Sequence, residues 1–221
     1  MKKLILVALI LSLAGCRKEA SYQGQPGSSW REALDKGDVD ARREAALALG
    51  RMGSKAKDSV PELTTALKDG DVKVRRQAAE ALWAMSDGAK DAVWDLINAL
   101  HDANADVRLN AAGALGDIGS NGRYAVAELA RALKDEDPRV REEVARSLGK
   151  QGEESKEAVP ALVLALQDQD VAVRIAAAYA LGNIGPGAQA AIPALQEALK
   201  DKDGDLHGAV KQAIREIEGK N

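Results

Sequence analysis

Apolar residues follow a helical period along most of the chain, and the same apolar pattern returns every 33 residues. A leucine of one helix recurs at Leu49, Leu82, Leu115, Leu148 and Leu181. A basic residue recurs seven positions earlier, at Arg42, Arg75, Arg108, Arg141 and Arg174. Leucines of a second helix recur in the same way from Leu63 and Leu67. A fixed period of this length predicts an all-α solenoid in which each unit packs on its neighbours.

Each repeat is predicted to hold two helices, here named A and B. Helix A begins after an Asp or Asn, a good capping residue, and five full repeats begin at Asp38, Asp71, Asn104, Asp137 and Asp170. It ends at a glycine, which suits a left-handed cap, at Gly53, Gly119, Gly152 and Gly185. Helix B is predicted from about residue 57, and an early proline marks it in three repeats. Half-repeats close both ends, a B-type helix at Trp30–Leu34 capped by Ser29 and an A-type helix over 205–218.

Small residues mark the side of helix A that faces the next repeat. One repeat position is held by Gly50, Gly116, Gly149 and Gly182, which let neighbouring helices approach closely. Trp83 takes this position in the second repeat, where we interpret it as a filler of the core. In the last A helix the stripe becomes His207, Lys211 and Arg215, a polar surface typical of a capping repeat.

Composition agrees with closely stacked helices and excludes one class of partner. The chain is 46% hydrophobic but only 3% aromatic, and it contains no Phe. Its formal net charge is −3. A nucleic-acid-binding protein should show a strongly basic face, so we expect no nucleic-acid partner.

The first residues have the features of a lipoprotein signal. Lys2 and Lys3 form a charged segment, and an apolar run over 4–13 is too short to span a bilayer. The segment ends Leu-Ala-Gly-Cys at Cys16, the only cysteine, and resembles the lipobox of bacterial lipoproteins. The resemblance implies a signal peptide over 1–15 and a lipidated Cys16. The polar residues that follow, with Gly24, Pro26 and Gly27, predict a flexible tether over 16–28, and the repeats predict the solenoid over 29–221. The alternative is an ordinary secretory signal with a chance cysteine.

The repeat pattern itself resembles a known family. The A helix reads D-x-x-V-R-x-x-A-A-x-A-L-G-x-I-G and the B helix A-V-P-x-L-x-x-A-L-x-D, as in short HEAT-like repeats of the phycobilisome-lyase type. The resemblance implies a right-handed α-solenoid with A helices outside and B helices lining a concave groove. It also implies a ladder between the recurring arginines and the Asp that opens each repeat, from Asp38 to Asp170. Asn104 breaks this series, so one rung is expected to be missing.

We find no constellation of residues with catalytic or metal-binding spacing. His101 stands where other repeats carry Lys or Gln, and His207 stands in the terminal Arg position, so both are interpreted as surface or capping residues. The Gly-x-x-Gly pairs end helices, whereas a phosphate cradle needs a helix N-terminus. We therefore expect no catalytic site, no metal and no cofactor, and the chain is not interpreted as an enzyme.

The outward positions of helix B form the candidate interface. They suggest an acidic surface with two central aromatics, typical of a protein-binding hot spot. The predicted partner-binding residues are Asp58, Glu62, Asp91, Trp94, Asp95, Tyr124, Glu128, Arg131 and Glu157. The alternative is that the acids favour the helix dipoles and that Trp94 folds onto a neighbour. A weaker candidate is the outer face of the fifth repeat, where Ile175 and Tyr179 replace charged residues.

These observations lead to one expected function and one alternative. We expect a monomeric, lipid-anchored scaffold that binds a protein partner, basic in charge, through the concave face. Arg17 after Cys16 resembles the sorting pattern for the outer membrane, facing the periplasm. The alternative is an enzyme or small-ligand carrier. A deep pocket with a perturbed acid would favour the alternative, and an open groove favours the scaffold.

Overall fold

The computed structural model describes residues 19–219, apart from the side chain of Ser120. The predicted signal peptide and Cys16 lie outside the described residues. Within them the chain forms a short hairpin and twelve α-helices. The hairpin pairs β1 (Ser21–Tyr22) with β2 (Gln25–Pro26). The A helices are α2 (Val39–Met52), α4 (Val72–Ala84), α6 (Ala105–Asp117), α8 (Pro138–Lys150), α10 (Val171–Ile184) and α12 (Gly204–Glu218).

Helix B begins within a few residues of the position predicted near residue 57, because the first B segment has a kink at Ala56 and its α-helix begins at Val60. Each B segment is a seven-residue 3-10 run followed by a short α-helix. The 3-10 runs are Gly53–Ser59, Ser86–Ala92, Gly119–Ala125, Gly152–Ala158 and Gly185–Ala191. The α-helices that follow are α3 (Val60–Ala66), α5 (Val93–Ala99), α7 (Val126–Ala132), α9 (Val159–Ala165) and α11 (Ile192–Ala198), with α1 (Gly27–Lys36) as the first half-repeat.

The predicted N-terminal caps of the A helices are confirmed. The Asp38 carboxylate accepts a hydrogen bond from the backbone N–H of Ala41, and the Asn104 amide oxygen accepts from Asp106 and Val107. At the other end, Gly53 (φ 54°, ψ −136°) and Gly185 (φ 68°, ψ −138°) have the positive φ that glycine adopts without a steric cost, but not the left-handed helical ψ that was predicted. These glycines allow each A helix to stop sharply and the chain to turn into its 3-10 run.

The core is a continuous strip between the A layer and the B layer. Its largest fully buried side chains include the recurring leucines Leu49, Leu63, Leu82, Leu96, Leu115, Leu129, Leu148, Leu162 and Leu181. The predicted glycine stripe is confirmed as the place where A helices meet. A Cβ added to Gly50 would lie 3.2 Å from the Cα of Ala81, and one added to Gly149 would lie 3.0 Å from the Cα of Ala180.

This close approach corrects the expected assignment of the two faces. Successive A helices contact each other along their length, whereas successive B segments meet mainly through their 3-10 runs. In a curved stack of two layers, the more closely spaced layer is the inner one. The A helices therefore line the concave side and the B helices lie on the convex side, the reverse of what the resemblance implied.

An Arg–Asp ladder joins neighbouring repeats, but its acidic partner is not the expected one. Arg42 donates through Nε to Asp69 at 2.7 Å, and Arg75 donates in the same way to Asp102 at 2.6 Å. Later rungs pair Arg108 with Asp135 at 2.7 Å, Arg141 with Asp168 at 2.7 Å, and Arg174 with Asp201 at 3.2 Å. The partner thus lies two residues before the capping position.

The capping residues Asp38, Asp71, Asn104, Asp137 and Asp170 therefore do not form the rungs. The rung expected to fail at Asn104 is present, because its acid is Asp102. Each ladder acid also accepts from the backbone N–H of the capping residue, as Asp102 does from Asn104 at 2.8 Å. The hydrogen bond from Arg42 lowers the pKa of Asp69 below its ordinary value.

The N-terminal segment differs from the flexible tether expected over 16–28. In its described part, Gln23 and Gly24 form the turn of the hairpin, with φ 51° and 77°. Two positive φ values are typical of the tight turn of a two-residue hairpin. Helix α1 then begins at Gly27, before the cap predicted at Ser29, and its N-cap residue is Pro26, which has no side-chain acceptor.

Candidate functional site

Trp94 and Tyr124 form an exposed aromatic pair on the convex B-helix face. Their side chains come from neighbouring repeats, Trp94 from the start of α5 and Tyr124 from the 3-10 run before α7. The ring centroids lie 5.9 Å apart, with an angle of 34° between the planes. Trp94 is 64% exposed and Tyr124 is 51% exposed. The pair therefore contacts solvent and each other, and Trp94 does not fold into the core.

Arg123 belongs to this cluster and was not among the predicted residues. Its guanidinium carbon lies 5.0 Å from the centroid of the Tyr124 ring, and one of its nitrogens donates to the Tyr124 hydroxyl at 3.1 Å. The sequence held a signal for it. Arg123 shares one repeat position with Lys57, Lys90 and Lys156, which all lie on 3-10 runs.

Three of the predicted acids are already paired with cations. Glu128 pairs with Arg131 one turn later on the same helix, and His101 Nε2 lies 3.6 Å from it. Asp95 contacts the Lys68 ammonium group at 2.7 Å. Glu62 lies 3.9 Å from Arg31. These contacts neutralise much of the acidic character that the sequence suggested.

The remaining acids of the site are exposed and form one row along the solenoid. Asp58, Asp91 and Glu157 share the repeat position that Tyr124 occupies in the third repeat. Each follows a lysine directly in the sequence, at Lys57, Lys90 and Lys156. No ion pair joins these three acids to another side chain of the described residues. The B-helix face is therefore a mixed-charge surface around the aromatic pair.

The concave A-helix face holds the second candidate surface. Ile175 and Tyr179 line a cleft of 460 Å³ between α8 and α10, together with Arg146, Lys150 and Asn183. Tyr179 is 42% exposed. The cleft forms because small residues, Gly149 and Ala176, lie at its floor.

A polar cluster on the same face surrounds Trp83. Its indole N–H donates to Asp117 at 2.7 Å, and the Lys150 ammonium lies 2.8 Å from the other oxygen of Asp117. Lys150 also lies 5.8 Å from the Trp83 ring centroid and 3.9 Å from Glu143. Burial raises the pKa of Glu143 above its ordinary value, although Lys150 and Arg146 oppose this. Trp83 is half-buried, so it is only partly the core filler that we predicted.

The two histidines lie at the surface positions expected for them. His101 is exposed beside Glu128, and His207 contacts the backbone carbonyl of Asp201 at 2.6 Å. Across the part of the chain that the structure describes, no three His, Cys, Asp or Glu residues are grouped to hold a metal ion. Among residues 19–219, no helix is both long and apolar enough to cross a membrane.

Comparison with family models identifies the repeats. A model of HEAT repeats matches residues 28–98, 93–156 and 154–215, which together cover most of the chain. The chain therefore belongs to the HEAT-repeat family, as its sequence pattern predicted. No curated protein matches the chain.

Solved structures with the same architecture include engineered and natural repeat proteins. An engineered protein is 26% identical, with a TM-score of 0.71 over 87% of this chain and 58% of its own. A designed armadillo repeat protein in complex with the peptide (KR)4 is 18% identical, with a TM-score of 0.70 over 86% and 98%. The CpcE–CpcF complex of phycocyanin lyase from a Nostoc species is 24% identical, with a TM-score of 0.64 over 94% and 82%.

Proposed function

We propose that this protein is a monomeric, lipid-anchored scaffold of the bacterial cell envelope that binds a protein partner. The observation that carries the proposal is the exposed pair of Trp94 and Tyr124 on neighbouring repeats. Large exposed aromatics are the residues that most often dominate the binding energy of protein interfaces. Because the pair lies on the B helices, the partner is proposed to bind the convex face.

The architecture supports this proposal at the level of the fold. Helical solenoids present long, continuous surfaces, because each repeat adds one row of outward side chains. The designed armadillo repeat protein described above holds a basic peptide, and this shows what such a scaffold can bind. The cleft lined by Ile175 and Tyr179 lies open at the surface between α8 and α10, which favours a scaffold over an enzyme or a ligand carrier.

The anchor is proposed at Cys16, from the lipobox-like sequence that it ends. Two or more acyl chains are needed to hold a protein stably on a bilayer, and a lipidated N-terminal cysteine would supply them. Replacing Cys16 with Ser should abolish acyl labelling and leave the precursor uncleaved. Acyl labelling that persists in this variant would contradict the proposed anchor, but it would not contradict the proposed aromatic interface.

The interface is tested by Trp94→Ala, with Leu164→Ala as the matched control. Leu164 is 63% exposed on the same face, so both changes remove an exposed apolar side chain. We expect both variants to melt like the wild type. Only Trp94→Ala should weaken binding of the partner, by roughly 2 kcal/mol or more in binding free energy. The measurement is recovery of the proteins that crosslink to the anchored wild type in intact cells.

Two results would contradict the aromatic interface. Strong destabilisation of Trp94→Ala would show that Trp94 is a packing residue. Unchanged crosslinks with a normal melting temperature would show that the pair is exposed without binding. If the partner is basic, its association should also slow as salt rises, because charge steering is screened.

A further inference from the structure

The N-terminal corner of the solenoid is the place where the anchored end of the chain meets the fold. We define this corner as the hairpin, the start of α1 and the 3-10 run Gly53–Ser59. Glu19 is fixed there, because its two carboxylate oxygens accept from the backbone N–H and the hydroxyl of Ser28, at 2.7 and 3.0 Å. The Gly27 N–H donates to the carbonyl of Ala20 at 3.0 Å. Glu19, the first residue that the structure describes, is therefore part of the folded domain.

The distance between this corner and the lipid is set by chain length. Only residues 17 and 18 separate Cys16 from Glu19. Three residue steps span at most about 10 Å, even when fully extended. The tether predicted from the sequence, over 16–28, would have reached roughly 40 Å. The ordered hairpin therefore holds the corner near the bilayer surface if Cys16 carries the lipid.

The corner presents cations that have no acidic partner. Lys55 and Lys57 are exposed, and neither forms an ion pair with another described side chain. Both line a cleft of 630 Å³ between residues 19–20, the start of α1 and the 3-10 run. The cleft is also lined by Asp58 and by Arg31, which pairs with Glu19 and Glu62. Ser59 also lines this cleft, is 1% exposed, and its buried hydroxyl has no hydrogen-bond partner. Arg17 and Lys18 add two more basic residues in the sequence between the anchor and the corner.

We infer that the N-terminal corner is a membrane-contact surface whose Lys55 and Lys57 bind the phosphates of anionic phospholipid headgroups. The inference rests on the proposed anchor at Cys16. Glu19 lies within about 10 Å of the lipidated residue, a distance comparable to the Debye length at physiological salt. Lys55 and Lys57 line the same cleft as Glu19, so an anionic bilayer should attract them. The contact orients the solenoid, with the edge that carries the 3-10 runs toward the lipid and the Arg–Asp ladder away from it.

The test uses the purified lipidated protein in vesicles. Because Cys16 is the only cysteine and its thiol would carry the lipid, Gln189→Cys adds one free thiol for a fluorophore. Gln189 is exposed on the 3-10 run Gly185–Ala191, at the far end of the same edge, so its distance from the lipid depends on the orientation of the solenoid and not on the tether alone. The acceptor is a headgroup-labelled lipid, in vesicles of phosphatidylglycerol with phosphatidylcholine or of phosphatidylcholine alone. The corner variant carries Lys55→Glu and Lys57→Glu. The control carries Lys134→Glu and Lys202→Glu, two exposed lysines on the opposite edge.

The corner variant should lose energy transfer on the anionic vesicles, to about half of the wild-type value or less. The control should match the wild type, and all three proteins should match on phosphatidylcholine alone. Equal transfer from the corner variant and the control on anionic vesicles would overturn the inference while leaving the anchor intact. Failure of the wild type to sediment with either vesicle, or to carry acyl label, would instead overturn the anchor. Equal melting temperatures confirm that the three proteins fold alike.

Discussion

The ring of Trp83 fills the space that Gly113 leaves open on the next A helix. A Cβ added to Gly113 would lie 2.5 Å from Cε2 of the indole and 2.6 Å from Cζ2. Other repeats carry larger residues at the Gly113 position, such as Glu80, Arg146 and Tyr179. The second and third repeats therefore differ from the others in a complementary way: Trp83 is larger than the glycine at its repeat position, and Gly113 is smaller than the residues at its own.

This pairing predicts a strongly coupled pair of substitutions. Gly113→Ala should destabilise the protein by about 1–3 kcal/mol, because the methyl group forces the indole to move. In a Trp83→Ala background the same change should be neutral or stabilising, since Ala favours a helix over Gly by roughly 1 kcal/mol. Urea unfolding of the double-mutant cycle measures the coupling. Gly208→Ala is the control and should stabilise, because nothing lies within 4 Å of its added Cβ. Additive effects would mean that the contact carries no energy.

The Arg–Asp ladder predicts a large cost for removing a central arginine. The side chains of Arg108 and Asp135 are each 9% exposed, so Arg108→Ala would leave a buried carboxylate unpaired. We expect a loss of about 3–5 kcal/mol in the free energy of unfolding. His207→Ala, at the last repeat, should cost about 1 kcal/mol, since it removes one hydrogen bond. Similar losses in the two variants would contradict a buried rung.

The identity of the ladder acid gives a separate prediction. Asp102→Asn should destabilise by at least about 1.5 kcal/mol, because it removes the charge that pairs with Arg75. Asn104→Asp should be nearly neutral, because both residue types cap a helix. Thermal melting of both variants at pH 7 distinguishes them. A larger loss from Asn104→Asp than from Asp102→Asn would instead support the ladder predicted from the sequence, in which the capping residue pairs with the arginine.

This effect should also depend on pH in a defined direction. Burial is the largest influence on the pKa of Asp102 and would raise it, but the hydrogen bonds from Arg75 and from the Asn104 backbone, with the charges of the nearby arginines, together outweigh it and hold the pKa below the ordinary value. A depressed pKa stabilises the fold above the unfolded value of about 4 and loses this effect as the pH falls through the folded value. The difference between the wild type and Asp102→Asn should therefore shrink below about pH 4. A constant difference would exclude the charge as its cause.

The charge of Glu143 should affect stability in the opposite direction, lowering it at neutral pH. Burial raises its pKa, so ionisation of Glu143 at neutral pH costs stability in the folded state. Glu143→Gln should therefore raise the melting temperature at pH 7. The gain should disappear below about pH 4, where the glutamate is protonated in both states. A variant that is less stable at pH 7 would show that the contacts with Lys150 and Arg146 outweigh the burial.

The acidic partner of the Arg–Asp ladder could not be predicted from the sequence alone. Two acids recur at most junctions between repeats, as in Asp69 and Asp71, and both lie near the next arginine in the sequence. The period alone cannot say which one crosses to the neighbouring repeat. That depends on the direction of the loop that joins helix B to helix A. The structure shows that the first acid points back to the preceding Arg42 and that the second caps α4.

The sequence by itself determined the solenoid, the boundaries of its repeats, the caps of the A helices and the outward direction of Trp94 and Tyr124. These are local properties, because they follow from helical periodicity and from the repeat of one pattern at one register. Only the tertiary structure decided which layer is concave, because this depends on the spacing of successive helices. It also decided the pairing of the acids and the ordered hairpin at Glu19, since each depends on contacts between distant residues.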